Sequence, residues 1–504
     1  MQMKAGSDGE TITDEVLLDN RITSSLNYAG KRFMHLSSGD IVMIHKGSHP
    51  IALVKVLYKL KESVEPSFGI DYRIEILSEY KNAIKEFPEL SEFKNKMPFQ
   101  GTFAEMDSKS KAYNRITKWY RVIIKEKSMK ESLELLRSNK NLILTGAPGT
   151  GKTHLARELA LRIVCLNKVI TIIKVDDIIE NISESENFPG LSEGIMYYIA
   201  SIRKKTLIIK GKSLRKKGYV VGLKNIYQYY LDYLNGKIPE TGKGNTTFAA
   251  SLAKHLINKS CGKFIDFVQF HPSYDYTDFV EGLRPVKKEG EDLGFKLNNG
   301  TFKEFCKRAN EDSDNDYVFI IDEINRAEIS KVFGELFFSI DPGYRGVDGK
   351  VKTQYENIQE GDTIFDDNLG KGWFYVPKNV YIIGTMNDID RSVESFDFAM
   401  RRRFAWKELI AKECTAMLYA EMSNWAKDAE DKMNDVNKII DDIDGLNKSY
   451  HIGPSYFLHL KKYNGDFNKL WENHLIVLLQ EYLRGMNNAT GAMEKLENAY
   501  SYIK

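Results

Sequence analysis

A glycine-rich segment between an apolar run and a helical pattern constrains the fold more than any other feature of this sequence. The apolar run covers residues 142–144 and the helical pattern covers residues 154–163. Strand, glycine loop and helix in this order build a phosphate cradle, because glycine lets backbone N–H groups turn inward at a helix N-terminus. The predicted nucleotide-binding loop consists of Gly146, Ala147, Pro148, Gly149, Thr150, Gly151, Lys152 and Thr153.

Two adjacent acids supply the second half of the predicted site. Residues 317–321 form an apolar run typical of a buried parallel strand, and Asp322 and Glu323 follow it directly. A carboxylate at such a strand end holds Mg²⁺, and the next one polarises the attacking water. In the loop, Lys152 reaches the outer phosphates and the Thr153 hydroxyl binds Mg²⁺. Two acids in a solvated turn are the alternative, and the nearby loop argues against it. We therefore predict Thr153 and Asp322 as metal ligands and Glu323 as a catalytic residue.

The composition is that of a large globular protein from a reducing compartment. The 504 residues suggest about three domains, and a net charge of +2 implies no general affinity for polyanions, so contact with nucleic acid requires a local basic patch. The four cysteines lack metal-ligand spacing and are interpreted as reduced thiols. The N-terminus is unlike a signal peptide, and no apolar stretch approaches membrane-spanning length. We expect a cytoplasmic protein with no membrane partner.

Changes in composition divide the chain into four predicted regions. Residues 1–27 are polar and are interpreted as a flexible tail, whereas residues 28–122 are interpreted as a β-rich domain. Residues 123–409 alternate strand and helix patterns, which predicts an α/β core with a parallel sheet, helices on both faces and an insertion near 170–250. Residues 410–504 predict a small helical lid domain.

A basic cluster lies inside the predicted insertion. Apolar residues 207–209 interrupt it, which predicts a strand with charged flanks. Charged runs of this kind usually form a solvated face, and we favour that interpretation; contact with DNA phosphates or with a partner is the alternative. The cluster consists of Arg203, Lys204, Lys205, Lys210, Lys212, Arg215, Lys216 and Lys217.

Several motifs in order resemble one known family. Residues 268–285 read VQFHPSYDYTDFVEGLRP, and residues 322–327 read DEINRA. Residues 384–392 read GTMNDIDRS, residues 400–404 read MRRRF, and residues 452–457 read IGPSYF. Together with the phosphate loop, these motifs resemble the McrB family, AAA+ GTPases of modification-dependent (type IV) restriction systems. The resemblance covers the nucleotide core and the lid, and does not identify the N-terminal region with equal force.

The resemblance implies both a fold and a function. The fold is an AAA+ P-loop NTPase core with a small helical lid. McrB-type proteins form hexameric rings, hydrolyse GTP in preference to ATP with Mg²⁺, and bind a separate McrC nuclease subunit that stimulates hydrolysis and cuts DNA. Their N-terminal domains recognise the DNA target, often a modified cytosine. By resemblance, this chain is the motor and DNA-recognition subunit of a McrBC-like complex and is not itself the nuclease.

The resemblance also assigns residues near the γ-phosphate. Asn387 follows a predicted strand and occupies the sensor position, although an asparagine that caps a turn is the alternative. Asp390 and Arg391 match the family signature. Asp388 departs from it, because the family usually has threonine there, and the extra acid bears on how a McrC-like partner stimulates hydrolysis.

A ring needs a cation from the neighbouring subunit to complete each site. Arg401 and Arg402 lie at the end of a predicted helix that begins near Glu394, and one of them is our candidate arginine finger. Arg326 and Arg391 compete for contacts across the subunit interface. The alternative for the arginine run is a basic helix C-terminus favoured by the helix dipole.

The N-terminal region is similar in pattern to PUA-like or EVE-like barrels. Strands are predicted at residues 41–44, 51–58 and 72–77, and a helix at residues 110–137 leads into the core. Such barrels accept a flipped base between aromatic walls, although most barrel aromatics are core residues. A structural or protein-binding barrel is the alternative; it suits a rival function, an AAA+ ATPase that remodels protein partners through an N-terminal adaptor. The available aromatics are Tyr28, Phe33, Tyr72, Phe99, Phe103 and Trp119.

Overall fold

The chain divides into two compact units, residues 1–128 and residues 129–504. The structure is a computed structural model. It describes residues 2–4, 21–25, 36–46, 49–60, 69–86, 90, 103–104, 111–165, 174–191, 195–211, 218–234, 245–286, 294–389, 398–422 and 424–501.

A six-stranded sheet forms the centre of the first unit. Its elements are β1 (Gln2–Lys4), β2 (Arg21–Ser25), β3 (Ile41–Lys46), β4 (His49–Lys59), β5 (Gly69–Glu79), α1 (Tyr80–Glu86), β6 (Phe103–Ala104) and the first part of α2 (Lys111–Asn139). The strands pair in the order β2-β5-β4-β3-β1-β6. Val42 and Val54 are buried in one apolar cluster, whereas Met43 and Leu53 are buried in another with Trp119. Because successive strand residues point to opposite faces, this sheet has apolar packing on both faces.

The sequence predicted the central hairpins of this unit and missed two strands. The predicted strands lie within β3, β4 and β5, and the predicted helix corresponds to α2. The interpretation of residues 1–27 as a flexible tail is wrong for β1 and β2, because β1 pairs with β3 and β2 pairs with β5. Backbone groups along an open strand edge pair with any extended segment, so polar side chains do not prevent a strand there. The other residues of 1–27 lie outside the described residues.

The second unit contains thirteen described strands and fourteen described helices. The strands are β7 (Asn141–Gly146), β8 (Asn187–Pro189), β9 (Met196–Ile202), β10 (Thr206–Gly211), β11 (Tyr219–Gly222), β12 (Ile265–Gln269), β13 (Glu281–Val286), β14 (Gly294–Asn299), β15 (Tyr317–Asp322), β16 (Val351–Lys352), β17 (Trp373–Phe374), β18 (Val380–Thr385) and β19 (Ala405–Leu409). The helices are α3 (Lys152–Val164), α4 (Asp177–Glu180), α5 (Leu223–Leu234), α6 (Asn245–Cys261), α7 (Tyr276–Phe279), α8 (Thr301–Glu311), α9 (Ile329–Phe333), α10 (Leu336–Ser339), α11 (Phe398–Arg401), α12 (Ala416–Glu421), α13 (Ala426–Asp441), α14 (Phe467–Leu470), α15 (Ile476–Tyr482) and α16 (Ala489–Ser501).

Five strands of this unit form the predicted parallel sheet. They pair in the order β12-β15-β18-β7-β19, and every neighbouring pair is parallel. Every residue of β7 and β18 is buried, and Ala156, Leu159 and Ile163 of α3 lie in the same apolar core. A parallel sheet that is buried on both faces can present polar groups only where its strands end. The carboxyl ends of β7, β15 and β18 therefore define the place to look for a site.

A separate antiparallel sheet occupies the interval predicted as an insertion. Its strands pair in the order β11-β10-β9-β8. The buried residues on its inner side include Tyr197, Leu207 and Val221. The Phe248 ring of α6 lies 4.9 Å from the Tyr197 ring and 4.7 Å from the Tyr219 ring, so α6 covers this side.

The last part of the chain forms the predicted helical domain. Helices α12 to α16 enclose a second apolar cluster, which includes Leu418, Met433, Phe457 and Leu496. A π-helical turn, Trp471–Leu475, connects α14 directly to α15. Among the described residues, no helix combines the length and the apolar character needed to cross a membrane.

Candidate nucleotide-binding site

The phosphate loop leaves β7 in a conformation that only glycine adopts easily. Gly146, Gly149 and Gly151 have φ values of 137°, 78° and 87°, in the region that side chains disfavour. At Gly146 a Cβ atom would lie 2.4 Å from the Leu409 carbonyl oxygen, so the loop begins in close contact with the end of β19. These conformations explain the glycine spacing that the sequence shows.

The Lys152 side chain lies inside the loop. Its Nζ atom donates hydrogen bonds to the carbonyl oxygens of Gly146 and Ala147, both at 2.9 Å. Burial lowers the pKa of Lys152, and the carboxylates of Asp388 and Glu323 partly oppose that shift. A buried ammonium group at the start of α3 gives the loop a strong preference for an anionic ligand.

Thr153 and Asp322, the two predicted metal ligands, meet at the carboxyl edge of the sheet. The Thr153 hydroxyl donates to Asp322 Oδ1 at 2.7 Å, and the Thr385 hydroxyl donates to the same oxygen at 2.6 Å. Thr385 Oγ1 in turn accepts a 3.2 Å hydrogen bond from the Glu323 N–H. Mg²⁺ prefers a few protein oxygens together with water and phosphate oxygens, so a hydroxyl and a carboxylate in contact fit this ion. Within the described residues, no cluster of three or more histidine, cysteine or acidic side chains offers a competing metal site.

Glu323 and Asn387 also lie in contact. The Asn387 amide donates to Glu323 Oε1 at 2.6 Å, and Arg326 Nε lies 3.4 Å from Glu323 Oε2. Glu323 has a φ of 52°, which is uncommon for a residue with a side chain and occurs most often at functional sites. The arrangement holds a carboxylate between an amide and a cation, beside the metal-ligand pair.

The lid contacts the phosphate loop through backbone atoms. Gly453 N–H donates to the Pro148 carbonyl at 2.9 Å, and Ser455 N–H donates to the Gly149 carbonyl at 3.0 Å. A Cβ atom on Gly453 would lie 2.2 Å from the Gly149 carbonyl carbon, so only glycine permits this approach. A Cβ atom on Gly149 would lie 2.7 Å from the Tyr456 ring, so the glycine of the loop also permits close packing by the lid. The motif at residues 452–457 therefore holds the lid against the loop.

Asp388 lies close to the loop lysine. Its carboxylate accepts a hydrogen bond from the Gly146 N–H, and loss of hydration there raises the pKa of Asp388 although the residue as a whole is exposed. The positive charges of Lys152 and Lys448 oppose the rise, and Glu408 adds to it. The residue that departs from the family signature thus lies where it can interact with bound phosphate.

The candidate arginines lie at the surface of the core. Arg401 and Arg402 are exposed, and the Arg401 guanidinium lies 5.6 Å from the centre of the Trp406 ring. Arg403 is partly buried, with its Nε atom 3.8 Å from Asp341 Oδ2. Exposure suits a residue that would act on a neighbouring subunit. Of the predicted helix that begins near Glu394, the described part is α11.

Some predicted residues cannot be placed. Asp390 and Arg391 lie outside the described residues, as do Tyr28, Phe33 and Phe99. Tyr72 and Trp119 are buried in the first unit and belong to its core, as barrel aromatics usually do.

Sequence reasoning missed two contributors to the site, Thr385 and Gly453. Thr385 ends β18, two positions before Asn387. The available signal was a hydroxyl residue at the carboxyl end of the strand that neighbours β15, which carries Asp322. The contact that Gly453 makes joins segments about three hundred residues apart in sequence, and no local pattern marks it.

The fold and the site together define an AAA+ P-loop NTPase. Three family profiles match the chain: the AAA domain of the dynein-related subfamily at residues 239–404, the α-helical lid domain of McrB at residues 428–490, and novel STAND NTPase 3 at residues 124–199. The chain is therefore similar to McrB-type AAA+ proteins over its nucleotide core and its lid, and the resemblance of its motifs to that family is confirmed.

Two relatives carry the comparison further. The chain is 37% identical over 256 residues to the type IV methyl-directed restriction enzyme EcoKMcrB subunit of Escherichia coli (strain K12), which covers 48% of this chain and 52% of the relative. It is 28% identical over 163 residues to the type II restriction enzyme BsuMI component YdiS of Bacillus subtilis (strain 168), covering 28% of this chain and 47% of the relative. The chain therefore spans about half the length of these relatives. C. elegans PCH-2 aligns over 99% of this chain and 97% of its own, at 11% identity and a TM-score of 0.19, which is too low to support a conclusion.

Proposed function

We propose that this chain is a Mg²⁺-dependent nucleoside triphosphatase that prefers GTP and serves as the ring-forming motor and DNA-recognition subunit of a McrBC-like restriction complex. One observation carries the proposal: the Thr153–Asp322 pair and the Asn387–Glu323 pair lie together at the sheet edge, beside a loop built for phosphate. This is the set of groups that phosphoryl transfer to water requires.

Each group has a role in hydrolysis. Backbone N–H groups of the loop and the Lys152 ammonium bind the phosphates, which replace the loop carbonyls as acceptors for Nζ. Thr153 and Asp322 would hold Mg²⁺, which when bound neutralises charge on the phosphate oxygens. Glu323 orients the attacking water and accepts its proton, while Asn387 fixes the carboxylate that does so.

A ring supplies what one subunit lacks. Charge that develops on the transferred phosphoryl group is stabilised by an arginine of the neighbouring subunit, a contribution of about 10³- to 10⁵-fold in related chemistry. Arg401 and Arg402 are exposed and are our candidates for this arginine finger. The hexameric state, the McrC-like nuclease partner and a DNA target carrying modified cytosine are proposed from the family resemblance. The names of both relatives, a restriction enzyme subunit and a restriction enzyme component, support a restriction system with partner subunits and DNA.

Hydrolysis by the purified chain tests the proposal. We expect Mg²⁺-dependent release of phosphate, faster from GTP than from ATP. Glu323→Gln should abolish turnover and retain nucleotide binding, whereas Lys152→Ala should lose both. A clear preference for ATP would contradict the GTP assignment and leave the assignment as a nucleoside triphosphatase intact. If neither nucleotide is hydrolysed, with or without a nuclease partner, the whole proposal is wrong.

DNA binding separates the proposal from its rival. Gel shifts with duplexes that carry or lack modified cytosine, in the presence of nucleotide, should show a shift. If neither duplex shifts, a motor that remodels proteins becomes the better assignment. DNA cleavage by this chain alone would contradict the motor role.

A further inference from the structure

The insertion sheet, strands β8 to β11, has one face that no described element covers. On β9 and β10, buried residues alternate with partly or largely exposed ones, and the buried side of the sheet faces α6. On the opposite side Met196, Tyr198 and Val220 are 48%, 37% and 50% exposed. Ile208 lies beside Val220 across the β10–β11 pair, so the apolar side chains form one surface.

Cations surround this surface. Lys210 pairs with Tyr198 across β9 and β10, which places the ammonium-bearing side chain next to the exposed ring. Arg203, Lys204 and Lys205 form the exposed turn between the same two strands. In the described part of the chain, none of these four cations forms a salt bridge.

The segment is unusual in its charge. Residues 195–222 contain eight lysines and arginines and no aspartate or glutamate, whereas the whole chain has 72 basic and 70 acidic residues. Two acids that precede the segment are engaged elsewhere: Glu186 binds Lys259 and His255, and Glu184 accepts the Ile202 N–H. Among the described residues, no carboxylate pairs with Arg203 to Lys205 or with Lys210, so the charge of these cations is available to a ligand.

We infer that this face, the insertion face of Tyr198, Lys210 and Arg203 to Lys205, binds the phosphate backbone of duplex DNA without reading its sequence. A cluster of cations with no acid is the electrostatic complement of a polyanion, and such contacts dominate affinity without specifying bases. The exposed tyrosine and lysine side chains add donors for phosphate oxygens. This contact is distinct from the target recognition that we propose for the first unit. The inference rests on the proposed function in one respect, that DNA is the partner.

Salt dependence identifies phosphate contacts directly. Each phosphate contact contributes about −0.9 to the slope of log K against log salt concentration, because bound counterions are released. We would measure the binding of unmodified duplex DNA to the full chain by fluorescence anisotropy over a range of salt. The test variant combines Arg203→Gln, Lys204→Gln, Lys205→Gln and Lys210→Gln.

A matched variant controls for net charge. Lys371, Lys378, Lys462 and Lys495 are exposed cations elsewhere in the second unit, and changing all four to glutamine removes the same charge. We expect the test variant to bind DNA at least about tenfold more weakly at low salt and to lose about 2 to 4 units of slope. The control should retain the wild-type slope, and both variants should retain DNA-independent hydrolysis.

Three results would overturn the inference. The first is that the test and control variants weaken DNA binding equally, which would show that the effect depends on net charge alone. The second is that the slope is unchanged in both variants. The third is that the test variant binds DNA normally but no longer binds a McrC-like nuclease subunit, which would show that the face contacts a protein. A failure of nucleotide hydrolysis would count against the proposed function. The comparison of DNA binding between the test and control variants would still test the inference, because it does not depend on hydrolysis.

Discussion

The parallel sheet and the insertion sheet of the second unit differ in how many of their faces are buried. The parallel sheet has β7 and β18 buried at every position, whereas the insertion sheet buries alternate residues of β9 and β10. A sheet covered on both faces can carry polar chemistry only where strands end. A sheet that is covered on one face exposes a whole surface to a ligand, instead of a single site at the strand ends. The first arrangement suits catalysis on one small group, and the second suits contact with an extended partner.

Hydrogen bonding shows the same contrast. At the parallel sheet's edge, Asp322 Oδ1 accepts from two threonines and Glu323 Oε1 accepts from Asn387, so the orientation of each carboxylate is fixed. On the insertion face, Lys204 and Lys205 are exposed and extend into solvent. Fixed geometry favours transition-state stabilisation, while exposed cations favour contact with a repeated backbone of any sequence.

Neighbouring tyrosines on β9 sharpen the comparison most. Tyr197 is buried against Phe248, whereas Tyr198 is exposed on the other face. Tyr197→Ala should destabilise the insertion by about 3 kcal/mol, because it removes a buried aromatic ring. Tyr198→Ala should change stability by less than about 0.5 kcal/mol. Hydrogen exchange of peptides from residues 187–261 measures both, and equal loss of protection would show that the two faces are not different.

Thr385 tests whether the catalytic edge depends on its fixed geometry. Thr385→Val removes the hydroxyl that joins the Asp322 carboxylate to the Glu323 backbone. A hydrogen bond to a charged group contributes about 1.5–3 kcal/mol, so we expect kcat to fall about 10- to 100-fold and the Mg²⁺ requirement to rise. Thr385→Ser should restore most of the activity. If valine and serine variants behave alike, the hydroxyl is not what positions the acid.

Gly453 tests the contact between the lid and the loop. A methyl group there would meet the Gly149–Thr150 peptide at 2.2–2.5 Å, so the lid must move away in Gly453→Ala. Overpacking costs about 1–3 kcal/mol, and we expect about tenfold weaker nucleotide binding by calorimetry. Gly262→Ala is the control, because a Cβ atom at Gly262 has no neighbour within 4 Å. Unchanged nucleotide affinity in Gly453→Ala would show that nucleotide binding does not depend on the contact between the lid and the loop.

Asp388 should produce the smallest effect and a pH dependence. Its pKa is raised chiefly by loss of hydration, so the charged form is disfavoured in the folded state. Above that pKa, Asp388→Asn should bind triphosphate a few-fold more tightly than wild type and be slightly more stable. The difference should shrink as the pH falls through the raised pKa and be absent below the ordinary aspartate pKa, where wild type is protonated too. A difference that grows towards low pH would contradict this explanation.

Local patterns predicted much of the fold and half of the site. The strands at residues 41–44, 51–58 and 72–77, the loop at residues 146–153 and the Asp322–Glu323 pair were all readable, because each depends on neighbours in sequence. Strands β1 and β2 were missed because each contains a single apolar residue, which is too few to establish the alternation that marks a strand. Thr385 lies within the motif at residues 384–392, but no local pattern indicates its contact with Asp322, which is 63 residues away.

The sequence alone determined a glycine loop between a strand and a helix, two acids at the end of a buried strand, and which family these motifs resemble. Those features are local, and steric and hydrogen-bonding rules act over a few residues. Only the tertiary structure decided that Thr385 holds Asp322, that Gly453 lies against Gly149, and that one face of the insertion stays uncovered. These facts depend on which distant segments pack together, and burial is a property of the whole fold.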